Sequence, residues 1–295
     1  MTHKLCSAAT RTLAAATYGD ITRRPLYYIL LLSFALAIFA SKLLSLFSFY
    51  QEMNLVREMG IATLTFWGFI ITIIVSGIAV TQELEDRTAV TLLSKPLRRH
   101  EFLLGKFGGI VLSLLPGMIF LAGVLLLTLW MMASPHLPVS DRDVAENLRR
   151  GAGPFATTWR ATWDAFIVPQ GAVVLSGLLL SFLQSAVLAA LAVSFSAFFP
   201  TVVAVSATTL VFVLGNVSGY MVASVEHAGV APLAWAAQAG AYAAPNFGYF
   251  NLQTHFSEGT IIGAPYLGLA FLYAVLYVSV VFLVSCSLFR KREVR

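Results

Sequence analysis

Apolar positions gather in six long blocks, each bounded by charge, proline or a polar run, and do not alternate with polar ones as in a soluble helix or strand. The blocks are residues 26–49, 61–81, 102–132, 171–199, 201–223 and 265–289. A bilayer core about 30 Å thick takes about 20 apolar residues of helix, so each block predicts one membrane crossing. The third and fourth exceed that need, which predicts tilt or protrusion. The fold class expected is an all-α polytopic membrane protein. A single six-helix transmembrane domain would occupy 26–295 and a cytoplasmic interfacial segment 1–25.

Before the first block, Leu5, Ala9, Leu13, Ala16 and Ile21 recur at steps of three to five, with Lys4, Arg11, Asp20 and Arg23 elsewhere. This predicts a weakly amphipathic helix on the inner surface that ends at Arg24-Pro25, because the residue before a proline avoids the α region. The plain alternative is a basic tail without fixed structure. No apolar signal region precedes residue 25 and no small-residue cleavage site follows the first block, so that block is expected to be retained.

The second block is predicted to run on as helix through Gln82-Glu83-Leu84-Glu85-Asp86-Arg87, with Glu83 and Arg87 at i and i+4 in the favourable order. Ser94-Lys95-Pro96 then breaks it, since proline lacks a donor. Leu97-Arg98-Arg99-His100-Glu101 leads into the third block, giving a compact, charged helix-turn-helix. Phe199-Pro200-Thr201 alone joins the fourth and fifth. The opposite face carries loops 133–170 and 224–264; within the latter, 232–244 is Ala-rich and uncharged with Trp235 and Tyr242, which predicts a re-entrant or surface helix.

Composition agrees. Hydrophobic residues make up 58% and charged ones 11%, with a mean hydropathy of +0.82, against about 25% charged in soluble domains. Charge placement sets the expected orientation, because short cytoplasmic loops keep Lys and Arg. Thirteen of the nineteen fall on one side: Lys4, Arg11, Arg23 and Arg24, then Arg87, Lys95, Arg98, Arg99 and Lys106, then Arg290, Lys291, Arg292 and Arg295. Five fall on the other (Arg57, Arg142, Arg149, Arg150, Arg160), four of them matched by four acids in loop 133–170. Both termini are therefore expected in the cytoplasm. The net charge of +5 expresses this bias toward an anionic inner leaflet, with no nucleic-acid partner expected.

The blocks contain no Asp, Glu or His, although ion-coupled carriers place ionisable groups within the bilayer. Lys42 is the one charge well inside a block, at the end where its stem can snorkel; a substrate contact is the alternative. No Gly-rich phosphate loop occurs, so uphill transport would need energy from a partner. No hydroxyl in a block has a base beside it, so the chain is not expected to be an enzyme. Cys6 and Cys286 map to the reducing side and lack zinc-like spacing. His227, His255 and Glu258 are the nearest to a ligand set and read as ordinary loop residues, so no metal is expected. Gly215 and Gly219 form a GxxxG that permits close helix approach, within one subunit or at a dimer seam. The sequon Asn216-Val217-Ser218 lies inside a block and is not expected to be glycosylated. Trp67, Phe182, Gln184 and Asn216 could line a path for an amphiphile.

Three runs carry a resemblance: Gln82-Glu83-Leu84-Glu85-Asp86-Arg87-Thr88, Thr91-Leu92-Leu93-Ser94-Lys95-Pro96-Leu97-Arg98-Arg99 and Glu101-Phe102-Leu103-Leu104-Gly105-Lys106-Phe107. Together they look like the segment after the second helix in permeases of the type-2 ATP-binding cassette (ABC) exporter family. Ala244-Pro245-Asn246-Phe247-Gly248-Tyr249-Phe250-Asn251-Leu252 resembles a Pro-Asn stretch before the last helix of that family. The resemblance implies that 83–101 is a cytoplasmic coupling helix region. Glu83, Glu85, Arg87, Thr88, Leu92, Lys95, Pro96, Arg98 and Arg99 would dock on a separate ATPase subunit. It further implies that ATP and magnesium belong to that partner, that a second permease completes a homodimer or heterodimer with Gly215 and Gly219 near the seam, and that the membrane is a bacterial cytoplasmic one. A membrane module that does mechanical work on an outer-side protein without moving substrate is the rival; an ion-coupled carrier is disfavoured by the uncharged blocks.

Overall fold

The computed structural model describes residues 2–45, 52–85, 99–133, 168–228, 245–251 and 262–292. Among these the regular structure is helical throughout: α1 (Thr2–Arg23), α2 (Pro25–Ser45), α3 (Glu52–Glu85), α4 (Arg99–Ala133), α5 (Val168–Phe198), α6 (Thr201–Ala228), a 3₁₀ turn (Phe247–Tyr249) and α7 (Ala264–Arg292). Five stretches are long and apolar enough to cross a bilayer: Pro25–Leu43, Met53–Gly77, Phe102–Met132, Val168–Phe198 and Ala264–Leu288. α6 contributes a shorter apolar stretch, Thr201–Val217. The chain is a multi-pass membrane protein.

The break at Arg24-Pro25 falls where the sequence puts it. Arg24 donates its N–H to the Ile21 carbonyl at 3.2 Å, and Tyr27 donates to the Arg24 carbonyl at 3.1 Å, so one residue turns the corner. Asp20 and Arg24 close an ion pair of 2.8 Å across it. α1 then lies along the start of α4, against glycines. A methyl on Gly109 would meet Thr17 Cβ at 2.5 Å and the Ala14 carbonyl oxygen at 2.8 Å. The expected amphipathic segment is thus a helix docked on its neighbour.

From α2 onward successive helices run antiparallel, which gives the bundle two ends, whereas α1 runs in the same sense as α2: Leu13 and Thr17 lie against Gly105 and Gly109 of α4, and Tyr27 against Gly117. At the Arg24 end, Ile21 and Arg24 face Ile71 and Val75, Gly77 faces Thr201 and Val205, and Phe107 meets Phe282 edge-on at 5.1 Å. At the Arg57 end, Arg57 reaches Gln170, Ile61 covers Gly177, and Tyr266 donates to the Tyr249 carbonyl at 2.9 Å. α5 is the central helix, buried along most of its length, with small residues that let α3 and α4 come close. By contrast α2 and α7 leave broad apolar faces open, among them Leu32, Leu36, Leu276 and Leu283. Such faces suit contact with lipid, which is as apolar as leucine.

The centre of the core is Trp67 on α3. Its ring lies edge-on to Tyr27, with centroids 5.7 Å apart, and occupies the space that any side chain at Gly117 would need. Pro116 sits inside α4, where its missing N–H disturbs the carbonyls one turn back. Tyr27 donates its hydroxyl to the Ser113 carbonyl at 3.0 Å, the kind of neighbouring partner that makes proline tolerable in a membrane helix.

α3 differs from its expected bounds. It begins at Glu52, nine residues before the second block, and runs unbroken for 34 residues, about 51 Å. The charges Arg57 and Glu58 that end the apolar block do not end the helix, because α3 still packs on α4 and α5 there: Val56 and Gly60 are buried, Gly60 directly against Leu125.

Candidate functional site

The expected docking residues fall in and beside the segment joining α3 to α4. Glu83 and Glu85 lie on the last turns of α3, and Arg99 opens α4. Arg87, Thr88, Leu92, Lys95, Pro96 and Arg98 lie outside the described residues, as do the Glu83–Arg87 pair and the Lys95-Pro96 turn. Most of loop 133–170, the uncharged stretch 232–244, His255 and Glu258 also lie outside them. α3 and α4 therefore bracket the segment at the Arg24 end, and α1 is docked on the first turns of α4.

Inside the bundle a seam of hydroxyls and amides follows α5. Thr65 and Ser181 share a hydrogen bond of 2.7 Å between α3 and α5. One turn on, Gly68 leaves its space to Ser185 and to Met118, whose Cε would lie 2.5 Å from an added methyl. Gln184 donates to Asn216 Oδ1 at 3.3 Å, and Asn216 Nδ2 donates to the Phe212 carbonyl at 2.9 Å, linking α5 to α6. Further along α3, the Thr72 hydroxyl is buried without a hydrogen-bond partner, as is the Trp67 indole N–H. Three of the four suggested path residues, Trp67, Gln184 and Asn216, thus meet the buried interior, and Phe182 packs partly buried against it. Chemically this seam can donate and accept hydrogen bonds. Of the described side chains that are buried and ionisable, Arg57 and Lys106 are cations, and none is a carboxylate or histidine that could activate a hydroxyl.

Arg57 is the residue that the hydropathy pattern placed at the surface and the packing places inside. It is 4% exposed. Its Nε donates to Gln170 Oε1 at 3.1 Å and its Nη1 to Asn54 Oδ1 at 3.1 Å. A signal exists in Asn54, at i−3 on the same helix face, which marks a polar patch and not a ragged end. At the other end Lys106 is also 4% exposed, with its ammonium 5.9 Å from the centre of the Phe102 ring. A cation at that distance is attracted by the ring face. Among the described residues no group of three or more His, Cys, Asp or Glu could hold a metal ion.

The Pro-Asn stretch is a docked turn. Asn246 Oδ1 accepts from the Gly248 N–H at 3.0 Å, and the Asn246 N–H donates to the Tyr273 hydroxyl on α7 at 3.0 Å. Phe247 is buried between Gly215, Phe212 and Phe250. A methyl on Gly215 would come within 2.5 Å of the Phe247 ring and 2.6 Å of the Pro245 carbonyl oxygen. One face of Gly215 is therefore occupied by its own chain. Gly219 lies one turn on in α6. Compared with known proteins, the chain matches no family model and no curated protein.

Proposed function

We propose that this chain is the permease subunit of an ATP-driven transporter of the ABC type-2 class, most consistent with export, and that it takes its energy from a separate ATPase docked on 83–101. The observation that carries the reading is α3. It continues as helix into Glu83-Leu84-Glu85, the run that opens the resembled motif, and so gives an ATPase a rigid handle that leads to the centre of the bundle. The hydroxyl and amide seam fits a path that changes shape more than it changes charge, and the sixth crossing is α6. The Lys- and Arg-rich end, with both termini, is cytoplasmic in this reading, and the membrane is a bacterial inner one. ATP and magnesium sit in the partner, and a second permease completes the assembly, with Gly219 near the seam.

The test separates docking from mere topology, because insertion follows Lys and Arg while docking follows shape and the acids. Glu85→Ala combined with Leu92→Asp leaves every basic residue in place. The double variant is expected to insert normally, yet to lose co-purification with a co-expressed ATPase subunit, or to uncouple its hydrolysis from transport. Loss of an anchor at a docking surface costs about 2 kcal/mol or more, about thirtyfold in affinity. Unchanged co-purification and unchanged ATP-dependent activity would remove the docking role.

A further inference from the structure

The elbow between α1 and α2 encloses, together with α3, a cavity of about 220 Å³. Its apolar wall is Ile21, Leu26, Leu30, Ile71, Ile74 and Val75. The charged residues that line it are Asp20 and Arg24, whose side chains remain 60% and 38% exposed and so stand at its mouth. Arg23, next in the chain to Arg24, does not line the cavity and is exposed. The mouth lies where α2 begins its membrane crossing, which is the depth of the lipid headgroups.

Three observations narrow the occupant. The wall is apolar; Pro25 and Tyr27 complete it, and the Tyr27 hydroxyl is given to the Ser113 carbonyl, so the wall offers an incoming group no free hydrogen bond. The volume is below the roughly 300–1,000 Å³ that holds a whole drug-sized molecule, so it suits a length of hydrocarbon attached to something outside. Charge decides what that is. Arg23 and Arg24 outnumber Asp20, and a guanidinium presents five N–H donors in a fork that matches phosphate oxygens. Asp20 takes one of these from Nη2 and orients the fork at the mouth.

We infer that this cavity binds one acyl chain of an anionic phospholipid, whose phosphate rests on Arg23 and Arg24. The acyl chain fills the wedge between the start of α2 and Ile71, Ile74 and Val75 of α3. The inference rests on the protein lying in a bilayer and not on the transporter reading, so either can fail alone.

The experiment uses the full-length protein in nanodiscs doped with a phosphatidylglycerol that carries a photoactivatable diazirine midway along one acyl chain, with crosslinked peptides located by mass spectrometry. Crosslinks are expected at residues 20–30 and 71–75 in excess of those on the open faces of α2 and α7. Unlabelled phosphatidylglycerol should compete at the elbow about fivefold better than phosphatidylcholine, the worth of about one basic side chain at an anionic surface. Ile74→Trp, or Leu30→Trp as a second filling variant, should abolish the elbow crosslink and spare those on α7. Arg23→Gln with Arg24→Gln should keep the crosslink but erase the headgroup preference. Labelling at the elbow no greater than on α7, equal competition by the two lipids, or an elbow crosslink that persists in a folded filling variant would each overturn the site. If neither filling variant folds, the competition on unaltered protein decides.

Discussion

Arg57 on α3 and Gln170 on α5 stand 113 positions apart in the chain and join side chain to side chain at 3.1 Å, guanidinium Nε to amide oxygen. The contact fixes the Arg57 end of the central helix pair. Removing the acceptor leaves a buried cation short of one partner, at a cost of about 1–3 kcal/mol. Gln170→Leu should therefore lower the melting temperature in detergent. Adding Arg57→Met should recover part of the loss, since a packed apolar pair carries no such penalty. A double variant less stable than Gln170→Leu alone would show that Arg57 matters chiefly through its other contacts.

Gly215→Ala puts a methyl against the Pro245 carbonyl, a backbone atom that cannot rotate away. Overpacking of this kind costs about 1–3 kcal/mol. The expected result is a lower melting temperature with subunit association unchanged, whereas Gly219→Leu should weaken association and spare the fold. Crosslinking and thermal melts on the two variants separate these effects. A Gly215→Ala protein that melts normally would mean that the 245–251 turn yields.

Thr72 and Thr65 make opposite predictions on one helix. Thr65 bonds Ser181 across the interface, and Thr65→Val should cost about 0.6 kcal/mol, the average for hydrogen bonds between membrane helices. The Thr72 hydroxyl is buried and unpaired, so Thr72→Val, which keeps the shape, should be neutral or stabilising by up to about 1 kcal/mol. If Thr72→Val keeps stability but loses transport, the hydroxyl meets substrate during the cycle.

Orientation is checked with reporter fusions. Fusions after Arg295 and within 94–99 should report cytoplasm, and one within 141–150 the outside. An outside signal at Lys95 would invert the assignment.

Five of the six expected crossings were legible because bilayer thickness imposes a length on apolar runs, while the fifth block gives only the shorter apolar stretch Thr201–Val217; Arg24-Pro25 was legible because proline acts on its immediate neighbour. Arg57 was not. Local sequence marks it as a charge that closes a block, and what buries it is Gln170 on another helix, a contact between distant segments with no periodic trace in either. Gly215 shows the same limit: GxxxG announces a close approach without saying to what, and the answer is the Phe247 ring of its own chain. The docking motif is legible as sequence, while its residues 86–98 lie outside those described.

The unbroken course of α3 has a mechanical consequence. With no proline or break between Arg57 and Glu85, that stretch acts as a lever about 40 Å long, held at one end by Gln170 and about a third of the way along by Trp67 in its glycine notch. A pivot of about 5° at the Arg57 clamp would swing the Glu85 tip by about 4 Å, about the rise of two to three helical residues. Small repacking around Arg57 is thereby geared to a large stroke at the opposite face, and a push on that face arrives at Arg57 reduced in travel but multiplied in force.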